Sequence, residues 1–307
     1  FKAMLCAAWQ CQPWFVRTRP VSRNSLSTEQ LWTDVTDADK FDVGLLACLR
    51  SVSTGGYGVL ADVQSDLFNL TSKSTAYFQV TSWQFTTAQF EGDGLWSGNY
   101  NMIANANNII NNIDRLNSKV EEGSAEAAAL KKYKANAYFA RAYGYANMVT
   151  RYCKNYDAAT ADATPGLSLV YEVNVLEKPA RATLAKTYEH LNDLKEAETC
   201  FGENADVMVD RPSIHTVHAL RARVYLQMKR YQDAIDEAKK VMAVFPLIDN
   251  ADDLPICGTW MKVRKSSTSL RSRPMNAPAR MVLHWLRHRE RLLLLLLPAY
   301  AGLARPV

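Results

Sequence analysis

The chain has 307 residues, 48% hydrophobic and 22% charged, an ordinary balance for a globular protein with one large core or two modest ones. Its net charge of +5 is uneven: residues 1–23 carry four bases and no acid, residues 261–307 carry ten bases and one acid, and residues 24–260 hold 22 bases against 30 acids. An acidic body with no repeating basic face excludes a nucleic-acid binder, and the six cysteines (Cys6, Cys11, Cys48, Cys153, Cys200, Cys257) lack the spacing of a metal site or of a disulfide framework.

The opening segment, FKAMLCAAWQCQPWFVRTRPVSR, lacks the continuous apolar region and small-residue cleavage site of a signal peptide. Regular patterning starts at NSLSTEQLW, where Ser27 or Thr28 is placed to cap a helix. The glycines of STGGYGVL (53–60) mark a turn or loop. SKSTAYFQVTSWQFTTAQFEGDGLW (72–96) is polar, aromatic and glycine-terminated, and reads as a long irregular excursion. Three strong helical regions follow, at 96–117, 124–152 and 180–245.

The last of these holds an internal repeat. Ala185, Tyr188 and Ala197 recur as Ala222, Tyr225 and Ala234, each displaced by 37 residues. These are the small and aromatic positions of a tetratricopeptide-type helix pair: small residues let two helices approach, Tyr fills the groove, and Pro246 stops the final helix. The interval 153–179, rich in Thr, Pro and Gly, interrupts the stacking and is expected to be a long surface excursion. Beyond Trp260 no helical or strand period survives, and the LLLLLL run (292–297) is far short of the roughly 20 apolar residues of a membrane span. Both basic ends are read as translation in a shifted frame, dividing the chain into an aberrant 1–23, a helical domain 24–255 with repeats near 180–246, and an aberrant tail 256–307. Resequencing that finds one uninterrupted frame through both junctions would overturn this reading.

Several stretches of the body resemble the SusD/RagB family of nutrient-binding outer-membrane lipoproteins. Trp96, Tyr100, Ile103, Ala106 and Asn107 resemble its W…Y..I..AN signature. Ala137, Phe139, Arg141, Ala142, Tyr145, Val149 and Tyr152 match its "EA.FLRA..Y..L...YG" helix, with Asn136 where an acid is usual and Cys153 where a glycine is usual. TPGLSLV (164–170) is similar to "PG.PLV", with Ser168 for the usual proline; residues 179–197 resemble "PRAT..E.Y..I..DL..A"; Asp62 and Asp66 stand at its "D..SD" motif. The resemblance covers roughly 24–255. It implies an all-α fold of tetratricopeptide-like helix pairs, with a less regular region carrying the ligand site. It also implies a lipid anchor at the bacterial outer membrane, a glycan or occasionally peptide cargo, and a TonB-dependent transporter as partner. No lipobox precedes Cys6 or Cys11, and family members are considerably longer.

Catalytic signatures are missing from the sequence: no G-x-S-x-G, H-E-x-x-H, C-x-x-C or Walker-type loop occurs. GDGLWSG (92–98) is explained by a capping turn. His215 and His218 lie one turn apart without a third ligand nearby in sequence, so a structural role is expected, with no metal and no cofactor. Sugar binding needs exposed aromatic faces flanked by amides and carboxylates, and the excursion 69–95 supplies them outside the repeat helices. Trp83 is the first candidate and Tyr77 the second, with Phe78 and Gln84 beside them; packing of these rings onto the helical core is the competing reading. A tetratricopeptide-like peptide-binding adaptor is the alternative function, although a pure solenoid would keep its period through 53–95 and 153–179.

The helix beginning near Trp96 also carries seven asparagines between residues 99 and 112. With Trp96, Tyr100, Ile103, Ile110, Ile113 and Asn117 on one stripe, Asn107 is expected in the core and the other six on the flanks or the solvated face. Arg141 is expected to pair with an acid of a neighbouring helix, while Tyr145 and Tyr152 fill interhelical grooves.

Overall fold

The computed structural model describes residues 31–54, 63–65, 77–84, 92–172, 178–202 and 211–245. Among them the regular elements are all helices: α1 (Val35–Thr54), α2 (Phe78–Thr81), α3 (Gly92–Asn117), α4 (Ala125–Tyr152), α5 (Leu184–Tyr188), α6 (Leu191–Phe201), α7 (Ile214–Gln227) and α8 (Tyr231–Val244). One isolated antiparallel bridge joins Pro165 to Thr183. The fold is all-α, as expected, and no described helix is long and apolar enough to cross a membrane. Several expectations fall outside the described residues: the Ser27/Thr28 cap, Asp62, Asp66, Pro246 and the two basic ends.

Helix α4 is the axis of the fold, and its sequence shows why. Small residues (Ala135, Ala137, Ala140, Ala142, Gly144, Ala146) alternate with Phe139, Tyr145, Met148 and Val149, so residues 135–149 of the helix are buried almost all round. Ser124 starts it, its side chain accepting the Ala127 amide. Helices α1 and α3 pack on one side, α6 on the other. At Gly144 the approach of α3 is close: a Cβ there would meet Ile103 at 3.0 Å and Met102 at 3.2 Å. Helix α1 begins at a polar knot in which Asp34 accepts the Asp37 amide and Thr33 donates to Asp37, and Trp32 stacks flat on Phe41 at 4.7 Å.

The repeat residues fall on two consecutive helix pairs, α5–α6 and α7–α8, with Ala197 and Ala234 both buried in the second helix of each. The pairs are not equal. The first helix of the earlier pair is a single turn of five residues, against 14 in its counterpart α7, because the chain reaches it from an extended strap bridged to Pro165. Tyr188 is buried against Tyr156, whereas Tyr225 stays half-buried beneath the Arg230 guanidinium, 4.4 Å from its ring centre. α8 ends at Val244, its Phe245 cap bonded to Val241.

Three expectations need correction. Residues 92–98 are not a capping turn before the helix but its first two turns. The segment 153–179 does not run only over the surface: Ala161 and Leu167 enter the core. The buried band of α3 is also turned from the expected stripe. Leu95, Asn99, Met102, Ile103, Ala106, Asn107, Ile109, Ile113 and Leu116 are buried, while Trp96 is 36% exposed, Ile110 half-buried and Asn117 exposed. The band is wide because α3 faces two helices, α1 and α4, rather than one.

Candidate functional site

The four candidate ligand residues lie together on one tight turn. Tyr77 (φ 58°) and Trp83 (φ 56°) both hold the left-handed conformation on either side of α2. That conformation is costly for side chains with a Cβ, so it needs local compensation. Here the Thr81 hydroxyl and amide both bond the Tyr77 carbonyl, at 2.8 and 2.9 Å, and the Ser82 hydroxyl bonds the Phe78 carbonyl at 2.6 Å. The Gln84 amide closes back onto Gln79 at 2.9 Å. Val80 is buried, while Trp83 is 66% and Phe78 53% exposed. Gln84 is exposed and Tyr77 half-buried. The turn thus combines a closed backbone with two large exposed rings and an exposed amide, a surface suited to stacking on an apolar ligand face.

Helix α3 uses its polar residues on a different task. Residues 164–172 form an extended strap, and a row of side chains grips its carbonyls: Tyr100 donates to Ser168 at 2.8 Å, Asn107 to Val170 at 2.8 Å and Asn111 to Tyr171 at 3.1 Å. From α4, the Tyr145 hydroxyl donates to the Val170 carbonyl and accepts its amide at 2.8 Å. Burial raises the pKa of both tyrosines, Tyr100 to about 12, so both are neutral donors at any physiological pH. Asn107, as expected, is a core amide. Asn99 is a second, contrary to expectation: it donates to the Leu95 carbonyl at 2.7 Å and accepts from Asn147 at 3.3 Å. Trp96 packs against Tyr100 and edge-on against Tyr152, both at 4.9 Å, with one side left in solvent.

Arg141 ties these parts together. It forks onto Asp193 of α6 with bonds of 2.8 and 2.7 Å and gives a third to Asn107 Oδ1 at 2.9 Å. This is the pairing with a neighbouring helix acid that the sequence predicts. The half-exposed Tyr171 lies over the same guanidinium, 5.2 Å from it. Asn111 and Tyr171 are the residues that sequence reasoning missed. The available signal was the spacing of seven and four from Tyr100 to Asn107 to Asn111, which aligns three polar groups on one helix face.

His218 does not pair with His215. Its Nδ1 lies 2.7 Å from Glu237 of α8, and Arg221 connects the same carboxylate to Glu198 of α6. His215 instead sits edge-on to Phe245 at 5.4 Å. Burial alone would raise the Glu237 pKa, but hydrogen bonds from His218 and Lys240 and the Arg221 charge outweigh it and hold it at about 2. A lowered folded-state pKa means that Glu237 stabilises the helix pairs fully above pH 4.5, and that this is lost as pH falls toward 2. Glu237→Gln is therefore expected to be less stable than the native chain at pH 7, with the gap closing near pH 2; urea unfolding at both pH values checks it.

A stack of helix pairs around one buried helix, crossed by a gripped strap, defines an all-α superhelical protein. A family model for SusD-like proteins, described as starch-binding and associating with the outer membrane, matches residues 49–226, and the chain belongs to that family. Solved structures share its fold. A SusD-like carbohydrate binding protein from Bacteroides vulgatus gives a TM-score of 0.58 at 16% identity, over 72% of this chain and 47% of its own. A SusD superfamily protein from Bacteroides thetaiotaomicron gives 0.53 at 22% identity, over 68% and 46%. A laminarin binding SusD-like protein gives 0.52 at 18% identity, over 71% and 47%. The chain spans about half the length of these structures. No curated protein matches it.

Proposed function

We propose that this chain serves non-catalytic glycan or oligosaccharide binding at the bacterial outer membrane, held there by a lipid anchor and delivering cargo to a TonB-dependent transporter. The observation that carries the reading is the α2 turn, where Trp83 and Phe78 stand exposed on a backbone closed by its own hydrogen bonds. A rigid exposed ring stacks on the apolar face of a pyranose with little ordering cost, and Gln84 and Tyr77 lie beside it for the hydroxyls. Membership of a family described as starch-binding supports the ligand class. The helical domain in this reading is 24–255, with the ligand turn outside its repeat pairs.

Isothermal calorimetry of the full chain with maltooligosaccharides and with laminarin oligosaccharides tests it. Trp83→Ala is expected to weaken binding at least about tenfold, as loss of a central aromatic contact does, while Trp83→Phe retains most of the affinity. Equal affinity of native and Trp83→Ala chains would remove Trp83 from the site. A transporter-barrel gene adjacent to this one supports the partner, and surface accessibility of the protein on intact cells supports the location; failure of either removes that part of the proposal alone.

A further inference from the structure

Asp42 lies between α1 and α4 with no exposed surface. Its Oδ1 accepts from Asn136 Nδ2 at 2.9 Å, and its Oδ2 stands 3.4 Å from an Arg211 guanidinium that is itself 27% exposed. One amide and one long charged contact are thin compensation for a buried carboxylate. The remaining neighbours do not complete it. Asp39 repels from the preceding turn of α1, the Lys132 charge on α4 attracts, and the Tyr133 hydroxyl is committed to Asp39 at 2.8 Å. Asn136 is also fully buried, and its Oδ1 has no hydrogen-bond partner. An acceptor without a donor thus adjoins a carboxylate without a proton, and one proton repairs both.

We propose that Asp42 and Asn136 form a proton-operated latch on the α7–α8 pair. Ionised, Asp42 holds Arg211 and with it the residues 211–213 that lead into α7. On protonation, its new O–H donates to Asn136 Oδ1 while Oδ1 keeps the Asn136 amide, and Arg211 turns to solvent. One proton enters from water, Arg211 stays cationic, and the net charge rises by one. Burial pushes the Asp42 carboxyl up to about 6, against the opposing pull of Asn136 and Arg211, so the exchange falls at mildly acidic pH. Because the folded-state pKa is raised, the group's contribution is fully present below about pH 4 and is lost as pH rises through about 6.

Asp42→Asn mimics the protonated latch, since its side-chain N–H donates to Asn136 Oδ1. Urea unfolding of the full chain from pH 4.5 to 8, with hydrogen exchange at Thr216 and Val217, tests the proposal. The folding equilibrium of the native chain is expected to weaken on the order of tenfold, relative to Asp42→Asn, between pH 5 and pH 8. Protection at Thr216 and Val217 in the native chain falls as pH drops through 6, and is low at every pH in Asp42→Asn. Arg211→Gln, which leaves the α1–α4 contact intact, moves the native midpoint upward because a cation that favours the carboxylate is gone. Identical pH profiles for native and Asp42→Asn chains, or an unmoved midpoint in Arg211→Gln, overturn the latch.

Discussion

Arg141→Ala is expected to destabilise the folded chain by about 3–5 kcal/mol, the range for removing one partner of a buried ion pair. The loss has two parts. Asp193 is left buried with its charge uncompensated, and Asn107 Oδ1 loses the donor that reaches it at 2.9 Å. Against a total stability of about 5–15 kcal/mol for a domain, that is enough to unfold much of the population at elevated temperature. The pair itself is not expected to be strongly stabilising relative to an apolar substitute. Arg141→Met combined with Asp193→Leu therefore recovers most of the loss, short of the cost of the unpartnered Asn107 oxygen. Urea unfolding followed by circular dichroism measures all three. A single variant within about 1 kcal/mol of native would mean that the guanidinium is not what joins α3, α4 and α6.

Helix α4 was legible in the sequence because its signal is local. A serine cap, then closely spaced alanines with Gly144 and large apolar residues between them, has few readings besides a helix packed on several sides. The repeat was legible for the same reason, since Ala and Tyr at matched offsets report helix pairs directly. What was not legible depends on partners far along the chain. Asparagine is ordinarily assigned to solvent, and Asn99 defeats that rule through Leu95 in its own helix and Asn147 on the next. Asn107 and Asn111 meet strap carbonyls 63 and 60 residues away, a pairing that no local pattern encodes. His215 and His218 look like a pair at helical spacing, but Glu237 reaches one and Phe245 covers the other.

The candidate ligand turn divides in the same way. That Tyr77, Phe78, Trp83 and Gln84 fall outside the repeat helices could be read from the break in helical period. That Tyr77 and Trp83 adopt positive φ could not, because aromatic residues carry no propensity for it. The conformation is imposed by hydrogen bonds from Thr81 and Ser82, ordinary residues whose role appears only once the turn has closed.

Gly166→Ala is the second substitution expected to have a large effect. A Cβ at Gly166 would lie 2.1 Å from Thr187 Oγ1 and 2.6 Å from the Thr183 carbonyl oxygen. Neither neighbour yields easily. Thr187 Oγ1 accepts the Leu167 amide at 2.9 Å and donates to the Thr183 carbonyl at 3.0 Å. That carbonyl is backbone at the start of α5 and also accepts the Thr187 amide at 3.0 Å. Overpacking a core typically costs about 1–3 kcal/mol, and a backbone obstacle places this case at the upper end or beyond. At about 2–4 °C per kcal/mol, the melting temperature should drop on the order of 10 °C. Adding Thr187→Ala removes the nearer obstacle but leaves the carbonyl, so the double variant recovers only part of the loss. Hydrogen exchange gives the location: the Gly166, Leu167 and Ala182 amides lose protection, while α7 and α8 keep theirs. A variant melting within about 1 °C of native would mean that the strap is not seated against α5 as described. Because the strap is gripped by α3 and α4 while the α2 turn closes on its own residues, Gly166→Ala is expected to lower stability without changing the glycan affinity of the folded fraction. A parallel loss of affinity would make the strap, with its exposed Tyr171, part of the ligand surface.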